Sequence, residues 1–214
     1  MARHIFIDNS NMYGGAQRAT ETLEPGAVWL AVRVYYRNLF QLIEGGGDVT
    51  TRVLGGSVPP GNDALWDHAR RLGYDTDLLR RVEQDDGRLV EQAVDELLHL
   101  KIANALLDHA PPQTLVIASG DGQDSDWGTS FPKQAERALR QDWSVEVWSW
   151  QEQLTGQYRW LVRANPGRVT IRTLDPFYRS ITFVKAGNYN VSGAQVAVAE
   201  RIVSPLPENL VYRD

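Results

Sequence analysis

Along the chain, apolar positions switch repeatedly between strand-like and helix-like spacing. Short apolar runs occur at Ile5-Phe6-Ile7, around 50–54 and at Leu115-Val116-Ile117-Ala118. Over 143–150, Val145 and Val147 alternate with Glu146 and Trp148. Helical stripes lie between these runs. Val28, Val32, Tyr35, Leu39 and Ile43 form one over 27–44, stopped by Gly45-Gly46-Gly47. A second spans 63–72, with Asn62 as N-cap and Gly73 as C-cap. A long amphipathic helix is expected over 88–109, and another over 130–141 with Pro132 in its first turn. Strands are expected over 74–82, 169–174 and 181–184, a turn at Asp85-Asp86-Gly87, and a short helix over 152–163. Residues 12–25 read as a loop turning at Gly14-Gly15. From Ala186 the periodicity weakens; 196–203 reads as a strand or a short helix. Alternating strands and helices predict a doubly wound α/β domain over 1–185, its sheet mostly parallel with helices on both faces, and a C-terminal extension over 186–214.

Composition changes this picture little, and charge changes it more. With 43% hydrophobic and 23% charged residues, the 214-residue chain is ordinary for a globular domain. No apolar run approaches the roughly 20 residues of a membrane span. The chain enters a strand almost at once, so no signal peptide is expected. The absence of cysteine excludes a thiol nucleophile and fits a reducing, cytoplasmic setting. A net charge of -5 argues against a protein that coats nucleic acid non-specifically. The charge is uneven, however. Arg159, Arg163, Arg168, Arg172, Arg179 and Lys185 face a single acid, Asp175, so this window carries +5. It also holds Tyr158, Trp160, Phe177 and Tyr178; arginine with aromatics is what single-stranded nucleic acid uses, although Trp160 serves equally well as core.

Candidate chemistry concentrates where strands end. The Leu115 run stops at Ser119-Gly120, and Asp121, Asp124 and Asp126 follow. Open α/β sheets place their sites at such carboxyl ends. Asp8 ends the first strand in the same way, beside Asn9, Ser10 and Asn11. Asp95 lies on the helix leading into the Leu115 strand, where it can face the same crevice. Oxygen ligands without Cys or His suit Mg²⁺ or Mn²⁺, and such a cluster supports phosphodiester cleavage. Asn11 is placed to hold Asp8 or a metal-bound water through its amide. Ser119, Thr129 and Ser130 are candidate phosphate donors near a helix start, with an N-cap as the equal alternative for Ser130. Lys133 and Arg137, one helical turn apart, share either a phosphate-facing or a merely solvated surface. None of His4, His68, His99 and His109 reads as a ligand or a base.

IFIDNSN at 5–11, AVD at 93–95 and LVIASGD at 115–121 resemble, in that order, the NYN branch of the PIN-like ribonucleases. The resemblance covers about two thirds of the chain. It implies a five-stranded parallel sheet, metal-dependent RNA hydrolysis, and Asp8, Asp95 and Asp121 as metal-binding acids. The family pattern continues SGD-x-D-F, whereas this chain runs SGDGQDSDW. Asp124 and Asp126 are therefore alternatives for the last acid, and Asp126-Trp127 better mimics the Asp-Phe pair. Glu91-Gln92 stands where the family often has a basic residue and a glycine. The expected partner is single-stranded RNA, with no membrane, and a homodimer is compatible. The rival expectation is the same fold binding RNA or a protein without cutting. A phosphatase-type hydrolase using Asp8 lacks its Asp-x-Asp pair, because position 10 is Ser.

Overall fold

A computed structural model describes residues 1–57, 63–76, 78–79, 82–83, 89–90, 94–124 and 128–208. Asn62, the turn at Asp85-Asp86-Gly87, Glu91-Gln92, Asp126 and Trp127 lie outside the described residues, as do parts of the strand expected over 74–82. The elements run β1 (Arg3–Asp8), α1 (Asn9–Leu23), β2 (Val32–Val34), α2 (Tyr36–Glu44), β3 (Val49–Ser57) and α3 (Asp63–Arg71). Three two-residue strands follow: β4 (Leu78–Leu79), β5 (Val82–Glu83) and β6 (Leu89–Val90). Then come α4 (Val94–Asp108), β7 (Thr114–Ala118), α5 (Phe131–Arg140), β8 (Ser144–Ser149), α6 (Gly156–Ala164) and β9 (Val169–Thr173). The described chain ends with α7 (Tyr178–Ile181), β10 (Thr182–Val184), β11 (Gly187–Val191) and β12 (Ala194–Val198).

The central sheet has the order β4-β3-β1-β7-β8-β9, with every pairing parallel. It is an open α/β sheet, with five strands of useful length and the two-residue β4 at one edge. Alternation of side chains across the pleat separates two cores. Ile5, Ile7, Val116 and Ala118 pack on one face with Met12, Leu39, Phe40 and Trp66 of α1–α3. Phe6, Leu115, Ile117, Val145 and Val147 pack on the other with Leu98, Ile102, Ala135 and Leu161 of α4–α6. From β1 the chain winds outward to β3 and β4, then crosses back to β7 and winds the other way. The reversal between β1 and β7 is the switch point where such sheets bind ligands.

Three expectations are corrected. Residues 12–25 are not a loop, because α1 begins at Asn9. Asp8 caps it by accepting the Asn11 N–H at 3.0 Å, and Met12, Ala16 and Ala19 are buried at helical spacing. The helix over 27–44 is divided: a 3₁₀ turn (Trp29–Ala31) and β2 precede α2. Val32-Arg33-Val34 pairs antiparallel with β10, a long-range contact that overrides the helical stripe. Over 88–109, the described helix starts only at Val94, and Leu89–Val90 pairs antiparallel with β5. The extension contains the hairpin β11–β12, turning at Ser192-Gly193, both with positive φ. It is tied to the domain by Arg201, whose guanidinium donates to the Thr182 carbonyl at 2.9 Å and to Glu24 at 3.1 Å.

At the opposite end of β1 from the switch point, His4 is fully buried. Its Nδ1 bonds the Thr51 hydroxyl at 2.8 Å, and its ring lies against His109 and Trp143. Burial, helped by the neighbouring His109, lowers its pKa from 6.5 to about 4. In the folded state it therefore stays neutral at pH values where the unfolded chain takes up a proton. This contribution to stability is complete above pH 6.5 and is lost as pH falls toward 4, on the order of 1–3 kcal/mol. His4→Asn is expected to flatten that loss in melting curves taken across the window; identical pH slopes for the two proteins would refute the assignment.

Candidate functional site

Asp8 is the last residue of β1 and only 4% exposed. Besides capping α1, it accepts the hydroxyl of Ser119 on Oδ2 at 3.1 Å. Ser119, just past the end of β7, is fully buried, and its Oγ also accepts the Asp121 N–H at 3.3 Å. One hydroxyl thus couples the carboxyl ends of the two strands at the switch point. Asp121 is half-buried and accepts the Gln123 N–H at 2.9 Å. Asn11 completes the join differently from expectation. Its backbone N–H holds Asp8, whereas its amide oxygen accepts the Gly120 N–H at 3.0 Å.

Two buried side chains sense these carboxylates. Tyr158, on α6, is fully buried, and its hydroxyl has no hydrogen-bond partner among the described residues. Burial first, then Asp121 and Asp8, raises its pKa well above the usual value. His99, on α4, is 3% exposed with both ring nitrogens unpartnered among the described residues, edge-on to Phe131. Burial lowers its pKa against the opposing pull of Glu96 and Asp121, with Arg137 adding to the lowering. Unpaired buried polar atoms cost about 1–3 kcal/mol each and are few in native proteins. Among the described residues such atoms also occur at the other end of the sheet, on Arg3, His4 and Trp143, so those of Tyr158 and His99 do not by themselves mark a site. In the sequence His99 reads as neither a ligand nor a base, although it lies four residues after Asp95 and so on the same helix stripe. Asp95 itself is half-buried in the first turn of α4.

The remaining candidates form a separate group at the start of α5. Asp124 is exposed, and Lys133 Nζ donates to its Oδ2 at 2.7 Å. Lys133, then Ser130, lowers its pKa. Lys133 also donates to the Gly128 carbonyl at 2.9 Å, so its charge is already engaged. Ser130 is buried and caps α5 by accepting the Lys133 N–H, and Thr129 accepts from the Gln134 amide at 3.0 Å. Arg137 is exposed one turn further on. The basic window is dispersed in the same way. Arg168 donates to the Leu139 and Trp143 carbonyls, Arg172 pairs with Glu146 at 3.8 Å and Arg179 with Glu24 at 3.5 Å. Tyr158 and Tyr178 are core, whereas Trp160 is 59% exposed between the exposed Arg159 and Arg163.

The donor set around Asp8 and Asp121 is oxygen-only apart from His99, which suits a hard divalent cation. Among the described residues, no three His, Asp or Glu side chains are grouped to hold a metal ion. Two acids still fit Mg²⁺, which commonly takes one or two protein carboxylates and fills its octahedron with water and substrate phosphate.

In front of Asp121 opens a polar cleft of about 540 Å³. Its far wall is the 151–155 segment, fixed against the acid loop by bonds from the Thr155 N–H to the Gly120 carbonyl at 3.1 Å and from the Gln157 amide to the Gly122 carbonyl at 3.2 Å. The Trp150 indole N–H anchors the same segment to α1 through the Met12 carbonyl at 3.0 Å. No helix among the described residues is long and apolar enough to cross a membrane. In comparisons with known proteins, no family model matches the chain, and no curated protein matches it either.

Proposed function

We propose that the protein is a metal-dependent ribonuclease of PIN-like fold, acting in the cytoplasm on single-stranded RNA. One observation carries this reading: Asp8 ends β1, Asp121 lies three residues past the end of the neighbouring parallel strand β7, and the two are coupled at the switch point through Ser119. Asp8 and Asp121 would hold Mg²⁺ or Mn²⁺ between them, with Asp95, at the start of α4, and Asp126 as the further acids implied by the family pattern. When bound, such a cation supplies Lewis-acid stabilisation of the charge that builds on a phosphodiester under attack by water. The chain's own contribution is order. The Asn11 N–H and the Ser119 hydroxyl fix the Asp8 carboxylate, and the Gln123 N–H fixes Asp121. Such anchoring of ligating carboxylates commonly governs metal affinity. Trp160, exposed between Arg159 and Arg163, offers a base-stacking surface beside phosphate-binding cations.

A second reading is a module that binds RNA or a protein partner without cutting. The engagement of Asp124 by Lys133 favours it, because that acid is then taken up by a surface ion pair. Incubation of the wild-type protein with labelled single-stranded RNA, with and without millimolar Mn²⁺, separates the two. Cleavage that requires the metal and is stopped by a chelator is expected. Retention of intact RNA in the presence of metal would establish the binding module.

A further inference from the structure

The cleft beside Asp121 has a second charged feature that the acid pair does not use. Asn11 and Arg18 are seven residues apart on α1, two helical turns, and both line it. Among the described residues no carboxylate forms an ion pair with Arg18. Its guanidinium donates instead to the Gln153 side-chain oxygen, when that amide is oriented so that its nitrogen donates to the Asn11 carbonyl at 3.0 Å. Glu152 also lines the cleft, but its Oε1 is taken by the Thr22 hydroxyl at 2.8 Å. Around Arg18 the remaining lining is neutral and hydrogen-bonding: the amides of Gln123 and Gln153 and the hydroxyl of Thr155. The walls are built rather than adaptable. A Cβ at Gly15 would overlap the Trp150 ring and the Gln153 side chain, and one at Gly122 would come within 2.7 Å of Thr155 Cβ.

A cavity of this size falls within the range of roughly 300–1,000 Å³ typical of small-ligand sites. Its lining selects against an apolar ligand. One guanidinium suits one phosphate, which it can grip with two parallel N–H bonds. Carboxamides suit base edges and ribose hydroxyls, which both donate and accept. We propose that this cleft is a nucleotide subsite: it holds the RNA nucleotide adjoining the bond cut at Asp8 and Asp121, with Arg18 on its phosphate and Gln123 and Gln153 on its base or sugar. The proposal rests on the ribonuclease reading and adds to it the residue that places the strand. Arg18 is a positioning residue, because it acts on a phosphate that is not the one attacked.

The test uses the full chain and a fluorescent single-stranded RNA oligonucleotide. Binding is measured in the Asp8→Asn background, which leaves the cleft lining intact, and steady-state cleavage in the otherwise wild-type protein. Arg18→Ala is expected to weaken binding about 10- to 100-fold, the loss associated with one charge-assisted contact. It should also reduce the slope of log affinity against log salt by about 1. In cleavage the loss should fall on KM rather than kcat, and Arg18→Lys should recover part of it as a point charge. Unchanged affinity, salt slope and KM in Arg18→Ala, with cleavage still abolished by Asp8→Asn, would overturn the subsite and leave the ribonuclease reading standing. If the wild-type protein neither binds nor cuts the RNA, both fall together.

Discussion

Under the proposed ribonuclease reading, Asp8→Asn is expected to abolish metal-dependent RNA cleavage and to leave the fold in place. Changes to groups that merely orient a metal ligand cost about 10–100-fold, so neutralising the carboxylate itself is expected to cost at least about 100-fold. The fold survives because asparagine reproduces what aspartate does structurally. Its Oδ1 still accepts the Asn11 N–H, and asparagine is as good an N-cap as aspartate. Its Nδ2 donates toward Ser119 Oγ, where the aspartate accepted. The lost negative charge at the start of α1 costs about 0.3–1 kcal/mol through the helix dipole. Relief from burying a charge at 4% exposure opposes it. The melting temperature should therefore move by no more than about 4 °C. Asp121→Asn should behave alike in activity. Single-stranded RNA cut at the wild-type rate by Asp8→Asn would remove it from the site; a variant that fails to melt cooperatively would instead make Asp8 a structural residue.

The parts of this site legible in the sequence are those fixed by local pattern. Ile5–Ile7 and Leu115–Ala118 are fully buried strands and read as unbroken apolar runs, the first followed at once by Asp8 and the second, after Ser119-Gly120, by Asp121. Alternation of elements then sufficed to place both at the carboxyl edge of a parallel sheet. What was not legible came from contacts between distant segments. Gly14-Gly15 reads locally as a turn, yet Gly15 is helical and is glycine because Trp150 and Gln153 close against it from well over a hundred residues away. With α1 taken for a loop, nothing linked Arg18 to Asn11. Val32–Val34 fits a helical stripe and becomes a strand only because β10 lies beside it. Tyr158 sits in a window of arginines and aromatics whose pattern is compatible with RNA contact, yet packing makes it core, where burial, then Asp121 and Asp8, raises its pKa. Asp124 reads in the sequence as an alternative to Asp126 for the last acid, and only the fold shows that Lys133, nine positions on, engages it in an ion pair.

Gly120→Ala should damage stability and activity together, and the reason is steric rather than conformational. Gly120 does not occupy the left-handed region, so alanine meets no backbone penalty there. A Cβ at this position, however, would overlap the Ser149 hydroxyl and lie 2.6 Å from the Gln153 carbonyl oxygen. Ser149 is buried and the second obstacle is backbone, so neither can swing aside. Overpacking of this kind costs about 1–3 kcal/mol, which for a chain of this size lowers the melting temperature by roughly 2–12 °C. Relief requires Gly120 to move away from the 151–155 segment. That movement strains the bonds of its N–H to Asn11 and of its carbonyl to Thr155, which together set the separation of α1, the acid loop and the cleft wall. Cleavage should consequently fall further than the stability loss alone explains, even well below the melting temperature. Gly156→Ala is the matched control. Nothing lies within 4 Å of its added Cβ at the start of α6, so it should be neutral or stabilising by about 0.4–1 kcal/mol. Equal melting temperatures for the two variants would show that the acid loop yields at Gly120, and that the close approach of the 151–155 segment does not hold Asp121 in place.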